Sequence, residues 1–206
     1  MTPTMSHSDE RAWQAAASLT DLGELTARWL EGEIASHPGY QPGWGPAQET
    51  TATPGLVQAL AVCNRAGYLT RASQPGHNGP GADGAHWTQI AAVTGWALDP
   101  RILATLRALA HRYSLTLVEH APALPGESGQ GVIVTTRNGR PATIFGRPLA
   151  PADVDFIWTP SGARAIAQVQ AARQITLATH SPTDTSLFAL LRTAFANPAR
   201  PGKTGH

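Results

Sequence analysis

The sequence predicts an α+β fold: a mixed sheet of about six strands with a β-hairpin, flanked by helices and preceded by a helical N-terminal segment. Three observations carry this expectation. Leu22, Leu25, Trp29, Leu30 and Ile34 recur at helical spacing. Beyond residue 68, short strand-like runs alternate with helix-like runs, an order that allows some parallel pairing. Asn138-Gly139 lies between two such runs, is the strongest hairpin signal in the chain, and forces an antiparallel part.

The elements follow in order. A first helix is expected over 9–19, with Ser8 as its cap and Asp9 and Glu10 suiting the dipole of its first turn. A second runs over 21–35 behind Thr20 and stops at His37-Pro38-Gly39. After a loop over 40–54, a third helix starts near Pro54 with Thr53 capping, and Gly67 ends it. A strand over 68–72 leads into a loop over 73–86, and 89–97 is a second strand. Asp99-Pro100 opens a helix that reaches about Arg112. Strands are expected over 115–119, 132–137, 142–145, 154–158 and 175–178. Ser161 caps a helix to about Arg173, and a last helix ends near Phe195.

The 206 residues suit one domain over 9–196, with polar ends at 1–8 and 197–206 that read as disordered. Apolar residues make up 42% and charged ones only 14%, so a proper core is affordable while the surface is charge-poor. The net charge is +1 and the arginines are scattered, which argues against nucleic-acid binding. No signal peptide or membrane-length apolar run is visible, so a cytoplasmic protein is expected, with self-association left open. Cys63 is the single cysteine and excludes an internal disulfide.

Few motifs name a chemistry. Gly79-Pro-Gly81-Ala-Asp-Gly84 matches a dinucleotide fingerprint by letter, but it leads into a strand instead of a helix, and Pro80 lacks an N–H. His77, His86, His111 and His120 have no neighbours at ligand spacing, so no metal site is expected. Ser128 lacks the strand and glycine spacing of a nucleophile elbow, and Cys63 shares a helix face with Leu60. The sequence does not identify a cofactor.

What remains is a polar constellation between Glu49 and Asp99. Asn64, Thr70, Ser73, Gln74 and Gln89 can both donate and accept hydrogen bonds, and Trp96 supplies an aromatic wall. These are the candidate ligand-binding residues, for a small polar ligand, a nucleotide-like molecule included. Glu49 is the carboxylate just upstream. Glu119 and His120 close a strand, where sheets present functional groups. These three are the candidate acid–base residues. Local capping and turn formation also explain Asn64, Thr70 and Ser73, and are the more ordinary reading of such residues. An enzyme and a non-catalytic accessory protein acting through protein contacts both fit.

Several of these segments, taken together, resemble a known group. They are Leu22–Ile34 (LGELTARWLEGEI), Pro38-Gly-Tyr40, Glu49-Thr50, Asn64–Thr70 (NRAGYLT), Ser73–Gly76 (SQPG) and Gln89–Gly95 (QIAAVTG). The chain is similar through them to an uncharacterised family of small actinobacterial proteins of the Streptomyces type, a domain of unknown function. The resemblance covers most of the chain up to about Asp99. It implies a cytoplasmic bacterial protein and no particular reaction.

Overall fold

A computed structural model describes residues 5–40, 54–122 and 129–196. Among them, seven helices accompany two four-stranded sheets in which neighbouring strands run antiparallel. The α+β class, the hairpin and the helical N-terminal segment are as the sequence predicts, but the strands divide between two sheets instead of sharing one.

Helix α1 (His7–Ala15) and helix α2 (Leu19–Leu30) begin earlier than spacing suggests. Ser6 and Ser18, not Ser8 and Thr20, are the caps: their hydroxyls accept from the Asp9 and Asp21 N–H groups at 3.2 and 3.1 Å. Helix α3 (Leu56–Ala66) ends, as predicted, at a left-handed Gly67. Its N-cap is Gly55, and the expected cap Thr53 lies outside the described residues.

Strand β1 (Tyr68–Gln74) follows at once. The glycine-rich stretch expected as loop contains strand β2 (His77–Pro80), which pairs with strand β3 (His86–Gln89). The single strand expected over 89–97 is broken between β3 and strand β4 (Ala92–Ala97). The cause is a change of partner: Ile90 N–H donates to Val134 O, whereas Ala91 N–H donates to Thr179 Oγ1. Alternation continues through this switch, so the sequence conceals the boundary between sheets.

Helix α4 (Pro100–Arg112) carries the predicted Asp99 cap, at 2.8 Å from the Arg101 N–H. Strand β5 (Thr116–His120) precedes the hairpin of strands β6 (Val132–Arg137) and β7 (Arg140–Phe145). Asn138 and Gly139 turn it with φ of 49° and 75°, the left-handed pair that such a two-residue turn requires.

The strand expected over 154–158 is helix α5 (Pro151–Trp158). Pro151 presets the first turn, and the Asp153 carboxylate accepts from the Ala150 N–H at 3.2 Å. Its buried residues, Val154 and Trp158, are four apart, which is a helical spacing. Helix α6 (Ala163–Ala171), strand β8 (Arg173–Ala178) and helix α7 (Leu187–Ala196) complete the chain. Ser161 does not cap α6: Gly162 is its N-cap, and the Ser161 hydroxyl is buried without a partner.

The first sheet has the order β1-β4-β8-β5 and the second β2-β3-β6-β7. Helices cover the first, burying Trp13, Leu22, Tyr68, Val93, Ile175 and Leu187 in one large core. A smaller cluster of Ala92, Val134 and Ala178 ties the second sheet to it. Among the described residues, no helix is long and apolar enough to cross a membrane.

Candidate functional site

The predicted polar residues are mostly held by their own backbone surroundings. Asn64 is fully buried at the end of α3, and its amide donates to Leu60 O (2.8 Å) and Thr70 Oγ1 (2.7 Å). Its Oδ1 accepts from the Thr70 N–H at 2.9 Å, so Asn64 and Thr70 lock the helix–strand corner together. Gln74 pins the two sheets to each other. Its Nε2 donates to Ile90 O and Val134 O (2.9 and 2.8 Å), and its Oε1 accepts from Thr135 Oγ1 at 3.0 Å. Gln89 Nε2 donates to Pro75 O at 2.5 Å. Ser73 is half-buried on β1, opposite Val93.

The acid–base candidates are also engaged. Glu119 accepts from Arg107 through both oxygens (2.9 and 2.6 Å) and from Arg173. Arg107 first, then Arg173, holds its carboxyl below the usual range, which makes it a poor proton acceptor at neutral pH. His120 Nε2 donates to Gly146 O at 2.7 Å. Glu49 lies outside the described residues.

A different candidate site lies around Trp96. A cleft of about 430 Å³ opens between the sheets. β1 contributes Arg71 and Ala72, β4 contributes Thr94 to Trp96, and β8 contributes Gln174. The end of β7 adds Phe145 to Arg147, α5 adds Ile157 and Trp158, and His37 and Tyr40 close one side. A second hollow, of about 230 Å³, adjoins it and shares His37, Tyr40, Arg71 and Ala72, with Thr70 and Ser73 on its own wall.

Both arginines are set by backbone devices. β1 and β4 pair Thr70 with Gly95 and Ala72 with Thr94, leaving Arg71 as the extra residue of a β-bulge. Bulges re-aim side chains. Gly95 is required opposite this one, since a Cβ there would sit 2.2 Å from Leu69 O. Tyr40 holds the bulge by donating its hydroxyl to Arg71 O at 2.6 Å.

Arg147 follows Gly146, whose φ is +78° and whose absent Cβ would meet Thr176 Oγ1 at 2.6 Å. The backbone is tied on both sides of that turn, by His120 to Gly146 O and by Gln174 Nε2 to Arg147 O at 2.8 Å. His120 therefore positions the turn that carries Arg147.

The cleft is rich in donors and poor in acceptors. Neither Arg71 nor Arg147 has a carboxylate within ion-pair distance among the described residues, whereas Arg28, Arg65, Arg107, Arg137 and Arg173 each do. No Asp or Glu lines the cleft among those residues. The Asp153 carboxylate, whose field reaches Arg71, is bound to the Ala150 N–H. Trp158 is fully buried, and its Nε1 has no partner. Trp29 Nε1, on the adjoining hollow, has none either.

His37 forms the inner wall with its ring centroid 4.8 to 5.3 Å from those of Trp13, Trp29, Tyr40 and Trp158. Its Nδ1 accepts from the Gly39 N–H at 3.0 Å, so the proton sits on Nε2, which faces Thr26 Oγ1 at 3.4 Å. Burial pushes its pKa down to about 3, so the ring is neutral.

Residues 8–196 match a family described as Domain of unknown function (DUF6919). The chain belongs to that family. No curated protein matches it.

Within this DUF6919 domain, sequence reasoning singled out Trp96, which lines the cleft, but not Arg71, Arg147, Tyr40, Gln174 or Trp158, which line it too. Trp158 was hidden by the strand expected over 154–158. One available signal was Gly95: an isolated glycine inside a strand pattern marks a bulge or a close backbone approach. Arg147, just after a glycine at a strand end, carries no comparable pattern.

Proposed function

We propose that this chain binds a small polar molecule, a nucleotide-like one included, in the cleft between its two sheets. The observation that carries the reading is a cleft of about 430 Å³ lined by Arg71 and Arg147, neither of which has a carboxylate within ion-pair distance among the described residues. The cleft volume lies in the range of ordinary small-molecule sites. The described lining supplies no effective base: burial pushes the pKa of its one histidine down to about 3 while the Nδ1 lone pair is taken by the Gly39 N–H, and Glu119, outside the lining, is consumed by arginines. Binding, not acid–base chemistry, is therefore the function this wall favours. A cytoplasmic, bacterial setting fits the single buried Cys63 and the resemblance to small actinobacterial proteins.

A thermal-shift screen of polar metabolites tests the reading on the wild type, Ala72→Phe and Gln74→Ala. Ala72 lines the cleft, so a phenylalanine there should abolish the shifts that ligands produce. Gln74→Ala should lower the starting Tm, because three hydrogen bonds between the sheets are lost, yet keep the ligand shifts. Shifts that survive Ala72→Phe and vanish in Gln74→Ala would return the site to the Gln74–Gln89 segment.

A further inference from the structure

We propose that the ligand of this cleft is an oxyanion, a carboxylate or a phosphate ester on a planar ring, held by Arg71 and Arg147. The proposal rests on the cleft being a ligand site and adds the ligand's charge and class. Donor chemistry leads to it. Among the described residues, the wall carries two guanidiniums with no carboxylate within ion-pair distance, and Asp153, whose field reaches Arg71, is bound to the Ala150 N–H. Each guanidinium presents a planar fork of N–H groups that matches the two oxygens of a carboxylate or phosphate. A cation-bearing ligand would meet like charge and find no counter-ion on that wall.

The backbone around each arginine strengthens the inference. Arg71 is the bulged residue of β1, held by Tyr40 and by a glycine that admits no side chain. Arg147 sits on a turn that needs a left-handed glycine and two side-chain clamps, from His120 and Gln174. Arginines that merely solubilise a surface need no such support. In the same cleft, Ile144, Phe145, Ile157 and Trp96 provide apolar surface for a ring.

Matched pairs of probes test the charge directly. Calorimetric titration would compare AMP with adenosine, and benzoate with benzamide, with inorganic phosphate as a ring-free control. The charged member should bind at least about 10-fold more tightly than its neutral partner, as expected for hydrogen bonds to charged groups. The pair with the larger ratio identifies phosphate or carboxylate as the source of the oxygens. Arg147→Gln and Arg71→Gln should each remove most of that preference, Arg71→Lys should keep part of it, and added salt should weaken it. Arg147 is exposed, so its glutamine variant should fold normally. If no charged probe binds more tightly than its neutral partner, the oxyanion assignment is overturned. Neutral probes whose binding is lost in Ala72→Phe would in that case leave the cleft as a ligand site. Charge preference that persists in both glutamine variants would also overturn the role of these arginines.

Discussion

Gly95→Ala is expected to destabilise the fold by about 3 kcal/mol or more and to remove ligand binding with it. The new Cβ would lie 2.2 Å from Leu69 O and 2.8 Å from Thr70 Cα, both of them backbone atoms of the paired strand. A flexible side chain could swing away from such a contact. These atoms can move only by opening the β1–β4 ladder beside the bulge. The same movement would displace Arg71. Urea unfolding should show a lower midpoint than the wild type. Gly79→Ala is the control, because a Cβ there meets only His77 side-chain atoms at 3.8 Å, and its midpoint should hardly change. A Gly95→Ala protein with wild-type stability would show that the bulge is soft and that the positioning of Arg71 is not built in.

Acid should weaken the protein well above the pH at which carboxylates titrate. His37 is neutral in the fold, with its pKa lowered by burial from 6.5 to about 3. The unfolded chain binds a proton on this ring below about pH 6.5, and the folded chain refuses it until about pH 3. Stability contributed by the neutral ring is therefore complete above 6.5 and is lost progressively as the pH falls through that window. The limiting slope is about 1.4 kcal/mol per pH unit. Glu119 and Glu31, whose pKa values are lowered by arginine partners, add their own losses only at the acidic end. His37→Asn keeps an acceptor for the Gly39 N–H and removes the titration. Unfolding free energies measured from pH 7 to 4 should decline steeply for the wild type and clearly less for the variant. Parallel curves would mean that the ring finds solvent or a partner when protonated.

Features set by neighbours in sequence were legible. Asp99-Pro100 opens α4, Gly67 closes α3 and Asn138-Gly139 turns the hairpin, because each depends on local φ values and caps. Features set by distant partners were not. The Gln74 amide looked free for a ligand, yet its acceptors include Val134, 60 residues away. Glu119 and His120 stood together as an acid–base pair, but one faces Arg107 and Arg173, and the other ties down Gly146. Arg71 lay inside the segment that the sequence singled out. Its importance comes from a bulge defined by pairing with β4, which alternation along one strand does not encode. Trp158 was misassigned because five apolar and acidic residues after a proline fit a short strand as well as a helix.

The most direct measurement is the proton–nitrogen correlation spectrum of the indole groups during a titration with AMP. The chain has six tryptophans, so each side chain can be followed by its own signal. The Trp158 and Trp96 indole signals, whose rings line the cleft, should shift as the ligand fills it. Trp87, already bonded to Asp83 at 2.9 Å on the second sheet, should stay in place. A still Trp158 signal, with the largest changes instead on the side-chain amides of Gln74 and Gln89, would contradict the cleft as the site.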